Sequence, residues 1–169
     1  MLKTFLPTYY FNTVFDIPDS FWSENGISGI LFDIDNTLEP YHAKVPSERT
    51  IQLFENLKSR GILYAIISNN HKERVEEFAS AIPSDFYYES LKPKTENIFL
   101  AIEKMNLSKD KVVIIGDQIF TDIWGGKRAG IRSIFVNKLS DNEGFFIKLK
   151  RVIEIPFVKY IKKSGYGKL

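Results

Sequence analysis

GILFDIDNTL, residues 29–38, places two carboxylates, Asp33 and Asp35, directly after a short apolar run. If the run is a β-strand, its side chains alternate between two faces, so both aspartates point to the same side. Two like charges there must be offset by a cation, a shared proton or water. The side chains that the rest of the chain places beside Asp33 and Asp35 decide between these three alternatives.

Three further segments resemble this first strand, since each is a short apolar run that ends in polar residues. The four predicted strands cover residues 29–35, 62–70, 111–118 and 131–137. Between them, helical patterns cover residues 47–60, 73–80 and 95–105, with a shorter turn of helix over residues 125–130. This alternation predicts an α/β fold with a parallel sheet and helices on both faces.

The composition predicts one globular domain, residues 1–169, with a buried core, because 44% of the 169 residues are hydrophobic. The net charge of +2 gives no reason to expect nucleic acid as a partner. The chain has no cysteine, which excludes disulfides, thiolate zinc sites and a cysteine nucleophile. No signal-peptide pattern and no run of ~18 apolar residues occurs, so we expect a cytoplasmic location without a transmembrane segment.

Polar residues follow the predicted strands at the edge where parallel sheets bind ligands. They are Asp33, Asp35, Ser68, Asn69 and Asp117, with Lys92, Lys94 and Asp122 from adjoining loops. Taken singly, each is an ordinary turn residue, helix cap or surface lysine, and only their order along the chain favours a site. Several carboxylates with a hydroxyl and a lysine suit Mg²⁺ and an anionic substrate.

Four short motifs resemble, in order and spacing, those of the haloacid dehalogenase-like (HAD) phosphohydrolases: DIDNT (33–37), SNN (68–70), LKP (91–93) and GDQIFTD (116–122). The likeness extends over residues 29–137, the expected catalytic core. LPTYYFNTVFDIP near the start and GDQIFTDIWGGKRAGI resemble the YqeG-type branch of subfamily IIIA, which is related to phosphatidylglycerophosphate phosphatases. The resemblance implies a Rossmann-like three-layer sandwich and a phosphatase that forms an aspartyl phosphate.

The resemblance also implies a role for each matching carboxylate. Asp33 would be the nucleophile that takes the phosphoryl group, and Asp35 the acid that protonates the leaving group and then the base that activates water. The implied Mg²⁺ ligands are Asp33, the backbone carbonyl of Asp35 and Asp117, with Asp122 as a further ligand or as a residue that orients the others.

The remaining motif residues would bind the substrate. Ser68, Asn69 and Lys92 would contact the phosphoryl oxygens, and Lys92 would also be catalytic. We prefer Lys92 to Lys94 because the family's lysine precedes a proline, and Pro93 follows Lys92. His71 follows the SNN motif, but no role can be assigned to it.

Too few residues separate the motifs for the cap domain that many relatives carry. We therefore expect an open cleft, whose lid would be a large substrate such as a protein, a nucleic acid or a lipid surface. A soluble, protein or nucleic-acid phosphomonoester remains an alternative substrate, and a non-catalytic binding or assembly factor an alternative function. The oligomeric state cannot be predicted.

The segment from residue 144 to residue 169 combines apolar residues at helical spacing with many lysines. One side carries Phe145, Phe146, Leu149, Val152 and Ile153, and the other carries most of Lys148, Lys150 and Arg151. Pro156 is expected to break the helix. Two interpretations are equally supported: a helix packed on the domain, or one lying on an anionic membrane surface. The resemblance favours the second, with phosphatidylglycerophosphate as substrate and a peripheral location on the inner membrane face.

Overall fold

The computed structural model describes residues 2–82, 84–87 and 89–164 of the chain. Its centre is a six-stranded, all-parallel sheet with the strand order β1-β6-β5-β2-β3-β4. The strands are β1 (Tyr9–Phe11), β2 (Gly29–Phe32), β3 (Leu63–Ile67), β4 (Asp85–Tyr87), β5 (Val112–Gly116) and β6 (Arg132–Val136). The predicted α/β fold is confirmed, and β2, which carries the paired aspartates, lies between β3 and β5.

The described residues form six α-helices around the sheet. They are α1 (Ser20–Glu24), α2 (Glu48–Ser59), α3 (Lys72–Ala79), α4 (Glu96–Met105), α5 (Trp124–Ala129) and α6 (Phe145–Ser164). The four predicted strands and four predicted helices are all present, with strands a few residues shorter than expected. The outer strands β1 and β4 were not predicted, because three-residue segments show too little alternation to be recognised.

The core lies on both faces of the sheet, as expected for a three-layer fold. Ile30 and Phe32 of β2 belong to one buried cluster together with Phe54 of α2. Leu31, on the opposite face, belongs to a second cluster with Ile98 of α4. A strand that is buried on both faces has a continuous apolar sequence, which is why GILF shows no alternation of apolar and polar residues.

The segments that hold cap domains in many relatives are short here. Residues 33–62, between β2 and β3, contain α2 as their single helix, and the described residues between β3 and β4 contain α3 alone. The described residues of these two segments therefore contain no cap domain.

The carboxy-terminal helix differs from the expectation in two respects. It is continuous through Pro156, so the predicted break is wrong. Pro156 and Val152, whose carbonyl loses its hydrogen bond to the proline, both lie on the exposed side, where water can replace that bond. Moreover, α6 faces the domain with Arg151, Glu154 and Ile161, which are buried or half-buried, so Arg151 does not belong to a solvent-facing basic side.

The apolar residues of α6 largely remain on the surface. Leu149, Val152 and Ile153 are exposed. The side chains of Phe145 and Phe146, which were expected on the same face, lie outside the described part, as do residues 165–169. Among the described helices, none is long and apolar enough to cross a membrane.

Candidate active site

Three buried carboxylates meet at the carboxyl edge of the central strands. Asp33 directly follows β2 and Asp117 directly follows β5, which is hydrogen-bonded to β2. Asp122 comes from the π-helical turn Ile119–Ile123 that leads into α5. Carboxylate oxygens of the three lie within 4.8 Å of one another. Hard oxygen donors this close together in a buried site match the ligands that Mg²⁺ takes in proteins.

Lys92 inserts its ammonium group between two of these carboxylates. Its Nζ lies 2.6 Å from Asp33 Oδ1 and 2.6 Å from Asp122 Oδ1, and it donates a hydrogen bond of 2.8 Å to the carbonyl of Ile67 at the end of β3. The Lys92 side chain is only 2% exposed, whereas Lys94 is exposed. Of the two candidate lysines, the structure therefore brings Lys92 to the aspartates.

Burial raises the pKa of Asp33 well above its usual range. The Lys92 ammonium lowers this pKa, and the neighbouring carboxylates of Asp122, Asp117 and Asp35 raise it again. Burial also raises the pKa of Asp117 to about 6, against the lowering effect of the Arg151 guanidinium. The pKa of Lys92 moves above its ordinary value despite burial, because Asp122 and Asp33 face it. The pocket is thus short of positive charge, which a divalent cation would supply.

Asp35 lies beside the triad rather than in it. Its carboxylate accepts hydrogen bonds from Arg74 Nη2 at 3.0 Å and from Asn70 Nδ2 at 3.1 Å, and its side chain is 12% exposed. Asp35 is therefore held at the rim of the site by two donors, with a small part of its side chain exposed. That the Asp35 carbonyl binds the metal stays a prediction.

Ser68 begins the loop after β3 and is buried. Its Oγ accepts a hydrogen bond of 3.0 Å from the backbone N–H of Asn70, the residue that also holds Asp35. The hydroxyl hydrogen of Ser68 can still donate to an anion. His71 is exposed at the start of α3 and makes no side-chain capping bond there.

Comparisons with known proteins identify the family of this chain. A model of the haloacid dehalogenase-like hydrolases matches residues 35–136, more than half of the chain. The chain belongs to this family. The protein named Probable phosphatase YqeG, from Bacillus subtilis (strain 168), is 34% identical over 164 residues, covering 97% of this chain and 95% of that protein. The family and this relative together make the chain a HAD-family phosphatase, as the four motifs predicted.

More distant proteins support the fold. The cobalt-bound deoxy-D-mannose-octulosonate 8-phosphate phosphatase of Haemophilus influenzae superimposes with a TM-score of 0.53 at 14% identity, covering 78% of this chain and 89% of that one. Glyceraldehyde 3-phosphate phosphatase of Pyrococcus furiosus is 21% identical over 136 residues, covering 75% of this chain and 56% of that protein.

In this HAD-family phosphatase, Asn69 has partners within the protein. Its Oδ1 accepts a hydrogen bond of 2.7 Å from the backbone N–H of Lys92, and its Nδ2 donates one of 3.1 Å to the Lys92 carbonyl. Both ends of the amide thus clamp the Lys92 backbone. Asn69 thus positions Lys92, and the phosphoryl contact expected for Asn69 stays a prediction.

Gly116 is needed for the approach of Asp122. A Cβ atom at this position would lie 2.2 Å from Asp122 Cγ, far inside contact distance. Asp122 Oδ2 in turn accepts hydrogen bonds of 3.2 Å from the Gln118 N–H and from Thr121 Oγ1. The glycine of the GDQIFTD motif therefore makes room for the phosphatase's third carboxylate.

Sequence reasoning missed two arginines at the site. Arg74 of α3 holds Asp35, and Arg151 of α6 donates from Nη2 to Asp117 Oδ2 and from Nη1 to the Asp117 carbonyl at 2.6 Å. Arg151 is 34 residues from Asp117 in the chain, and no local pattern marks it. Because Arg151 lies among lysines in the sequence, it was expected to be an exposed surface cation.

Proposed function

We propose that the protein hydrolyses phosphomonoesters with Mg²⁺ through an aspartyl-phosphate intermediate. One observation carries the proposal: Asp33, directly after the central strand, shares a buried site with Asp117, Asp122 and the Lys92 ammonium. Phosphoryl transfer demands little from a protein beyond positioning and neutralisation of spread negative charge. Asp33, Asp117 and Asp122, with the Asp35 carbonyl, would hold the metal, which would supply a Lewis acid at the phosphoryl oxygens.

The chain's own residues would perform the other steps. Asp33 attacks phosphorus, while Lys92 and Ser68 bind the phosphoryl oxygens on which negative charge spreads. Asp35, held by Arg74, gives its proton to the leaving alkoxide and then takes one from the water that cleaves the aspartyl phosphate. Family membership supports this enzymatic role over a non-catalytic binding factor.

Replacement of Asp33 tests the mechanism. Asp33→Asn should lower kcat on a generic aryl phosphate by at least ~10³, or about 4 kcal/mol, because it removes both the nucleophile and a metal ligand. Asp35→Asn should either allow labelled phosphoenzyme to accumulate in a rapid-quench experiment or slow both half-reactions, because one residue serves as acid and then as base. Near-normal turnover by Asp33→Asn would refute the assignment.

For the substrate we propose phosphatidylglycerophosphate, or a large phosphomonoester of similar amphiphilic character. A cavity of about 630 Å³ adjoins Asp117 and runs between α6 and the loop after β6. Three lysines and several apolar side chains line this cavity, which suits an anionic, partly apolar leaving group, although carboxylates line it as well. The lysines are Lys138, Lys159 and Lys162, the apolar residues include Phe135, Val152, Ile155 and Val158, and the carboxylates are Asp117, Asp141 and Glu154.

The outer face of α6 supports a membrane surface as the source of this substrate. Leu149, Val152 and Ile153 are 55%, 60% and 59% exposed, which is unusual for neighbouring apolar residues of one helix. Three lysines follow in the last turns of the helix, and we call them the α6 lysines: Lys159, Lys162 and Lys163. Apolar residues beside lysines suit the headgroup layer of an anionic membrane, here the inner membrane face.

A phosphate-release panel separates the substrates. Phosphatidylglycerophosphate in mixed micelles should be preferred over sugar phosphates, a phosphopeptide and a 5′-phosphorylated oligonucleotide, each compared by kcat/KM. A soluble sugar phosphate, peptide or oligonucleotide preferred by orders of magnitude would refute the lipid substrate while leaving the phosphatase mechanism in place.

A further inference from the structure

The guanidinium of Arg151 faces inward from α6, and each of its three nitrogens contacts an oxygen of the protein. Nε donates to Glu143 Oε1 and Oε2 at 3.2 and 3.3 Å, and Nη2 donates to Glu143 Oε1 at 2.5 Å and to Asp117 Oδ2. Nη1 donates to the Asp117 carbonyl at 2.6 Å and lies 3.6 Å from Glu154 Oε2. Because these donors are occupied, Arg151 is built to hold protein groups rather than a substrate phosphate.

The contacts of Arg151 fix Asp117 at two points. A hydrogen bond to the carboxylate and one to the carbonyl of the same residue leave it little freedom to rotate. The other carboxylate oxygen, Oδ1, accepts only a long bond of 3.3 Å from Thr37 Oγ1 among the hydrogen bonds described. Arg151 thus holds Asp117 from one side, while the carboxylate remains within reach of Asp33 and Asp122.

Glu143 extends this support to the loop of the first motif. Its Oε1 also accepts a hydrogen bond of 2.7 Å from Asn36 Nδ2. Asn36 follows Asp35 directly and has a left-handed backbone with φ of 66°, and its Oδ1 accepts the N–H of Ser140 at 3.1 Å. One buried network therefore connects the Asp33–Asp35 loop to Asp117 through the loop after β6 and through α6.

We infer that Arg151, held by Glu143, is a positioning residue for the divalent-cation site, although it contacts neither metal nor substrate in this role. The inference rests on the Mg²⁺ site of the proposed function. Groups that hydrogen-bond a ligating carboxylate orient it, and their loss typically weakens metal affinity about 10- to 100-fold. The opposite effect would follow if Arg151 acted chiefly as a charge that repels the metal, since its removal would then tighten binding.

The test measures Mg²⁺ binding by calorimetry on metal-free, full-length protein. Arg151→Met should weaken Mg²⁺ affinity by about 10- to 100-fold, and Arg151→Lys, which keeps the charge, should recover part of it. The matched control is Lys150→Met, an exposed cation one position away on the same helix, which should bind Mg²⁺ like the wild type. Excess Mg²⁺ should restore much of the kcat of Arg151→Met on an aryl phosphate, a rescue that a purely structural defect would not show.

Arg151→Met leaves Glu143 and Glu154 buried without their cation, so its folding is checked by circular dichroism. If Arg151→Met does not fold, the inference is tested with Arg151→Lys and Glu143→Gln. Both variants disturb the hydrogen-bond geometry while nearly keeping the volume of the site, and both should weaken Mg²⁺ binding. Affinity equal to or tighter than that of the wild type in the folded variants overturns the inference and leaves the proposed function standing. A wild type that binds no Mg²⁺ overturns both.

Discussion

Replacing Lys92 by methionine removes the ammonium group and nearly preserves the side-chain volume. In the wild type this group lies 2.6 Å from both Asp33 Oδ1 and Asp122 Oδ1, and all three side chains are buried. The variant therefore leaves two carboxylates facing each other without a cation. Removing one partner of a buried ion pair costs about 3–5 kcal/mol of stability, because an uncompensated charge remains.

The loss should depend on pH. Burial already raises the pKa of Asp33, and without Lys92 it rises further. Below that pKa the carboxyl group is neutral and needs no cation, so the folded variant avoids part of the penalty by binding a proton. We therefore expect a larger loss of unfolding free energy at pH 8 than at pH 5, with Mg²⁺ reducing it at pH 8.

Urea unfolding of the metal-free protein in EDTA measures this loss, with Lys94→Met as the matched control. Lys94 is exposed and two residues away, so its replacement should change stability by less than about 0.5 kcal/mol. Lys92→Met should also lower kcat by about 10²- to 10³-fold, as loss of one preorganised donor does elsewhere. Equal stability of Lys92→Met and wild type at pH 8 would show that Lys92 does not neutralise the aspartates.

Three further predictions concern the metal, pH and the membrane. Activity should follow Mg²⁺ or Mn²⁺, and activation by Zn²⁺ without a response to Mg²⁺ would contradict the oxygen-ligand site. Burial raises the pKa of Glu154 to about 7 from its ordinary 4.5, so the folded state binds the extra proton and stability falls as pH rises between these values. Glu154→Gln should remove this pH dependence of stability. If the urea midpoints of wild type and variant change equally between pH 4.5 and pH 7.5, Glu154 is not the group responsible. Reversing the α6 lysines to glutamate should weaken cosedimentation with anionic liposomes by roughly 1 kcal/mol per charge removed at low salt, while aryl phosphate turnover persists. The matched control reverses the charge of three lysines near the amino ends of β5 and β6: Lys109, Lys111 and Lys127.

The residues that sequence reasoning placed at the site share one property, which is their position at the end of a strand or in the loop beside it. A short apolar run ending in Asp33 or Asp117 is visible locally, and the parallel topology then brings such ends to one edge. Asn69 was assigned to that edge in the same way. The two hydrogen bonds from its amide to the Lys92 backbone could not be predicted, because the SNN motif shows that an amide is present but not which groups it binds.

The Arg151 network could not be predicted for a different reason. Its hydrogen bonds join residues 34 and 107 positions apart, and long-range side-chain contacts leave no periodic signal in a sequence. The short strands β1 and β4 escaped recognition because their few residues are fixed by neighbours in the sheet, not by their own pattern.

The orientation of α6 shows that a helix can be recognised from its pattern while one of its residues, Arg151, is assigned to the wrong side. The apolar positions predicted the helix, and an apolar face usually packs on the core. Here Arg151 and Glu154 bind Asp117 and the Phe120 N–H, while Ile161 joins an apolar cluster of the domain, so the inward side of the helix is partly polar and partly apolar. Pairing these charges with each other and with backbone groups makes their burial tolerable. Leu149, Val152 and Ile153 face outward, and their exposure is the physical ground on which the proposed membrane contact rests.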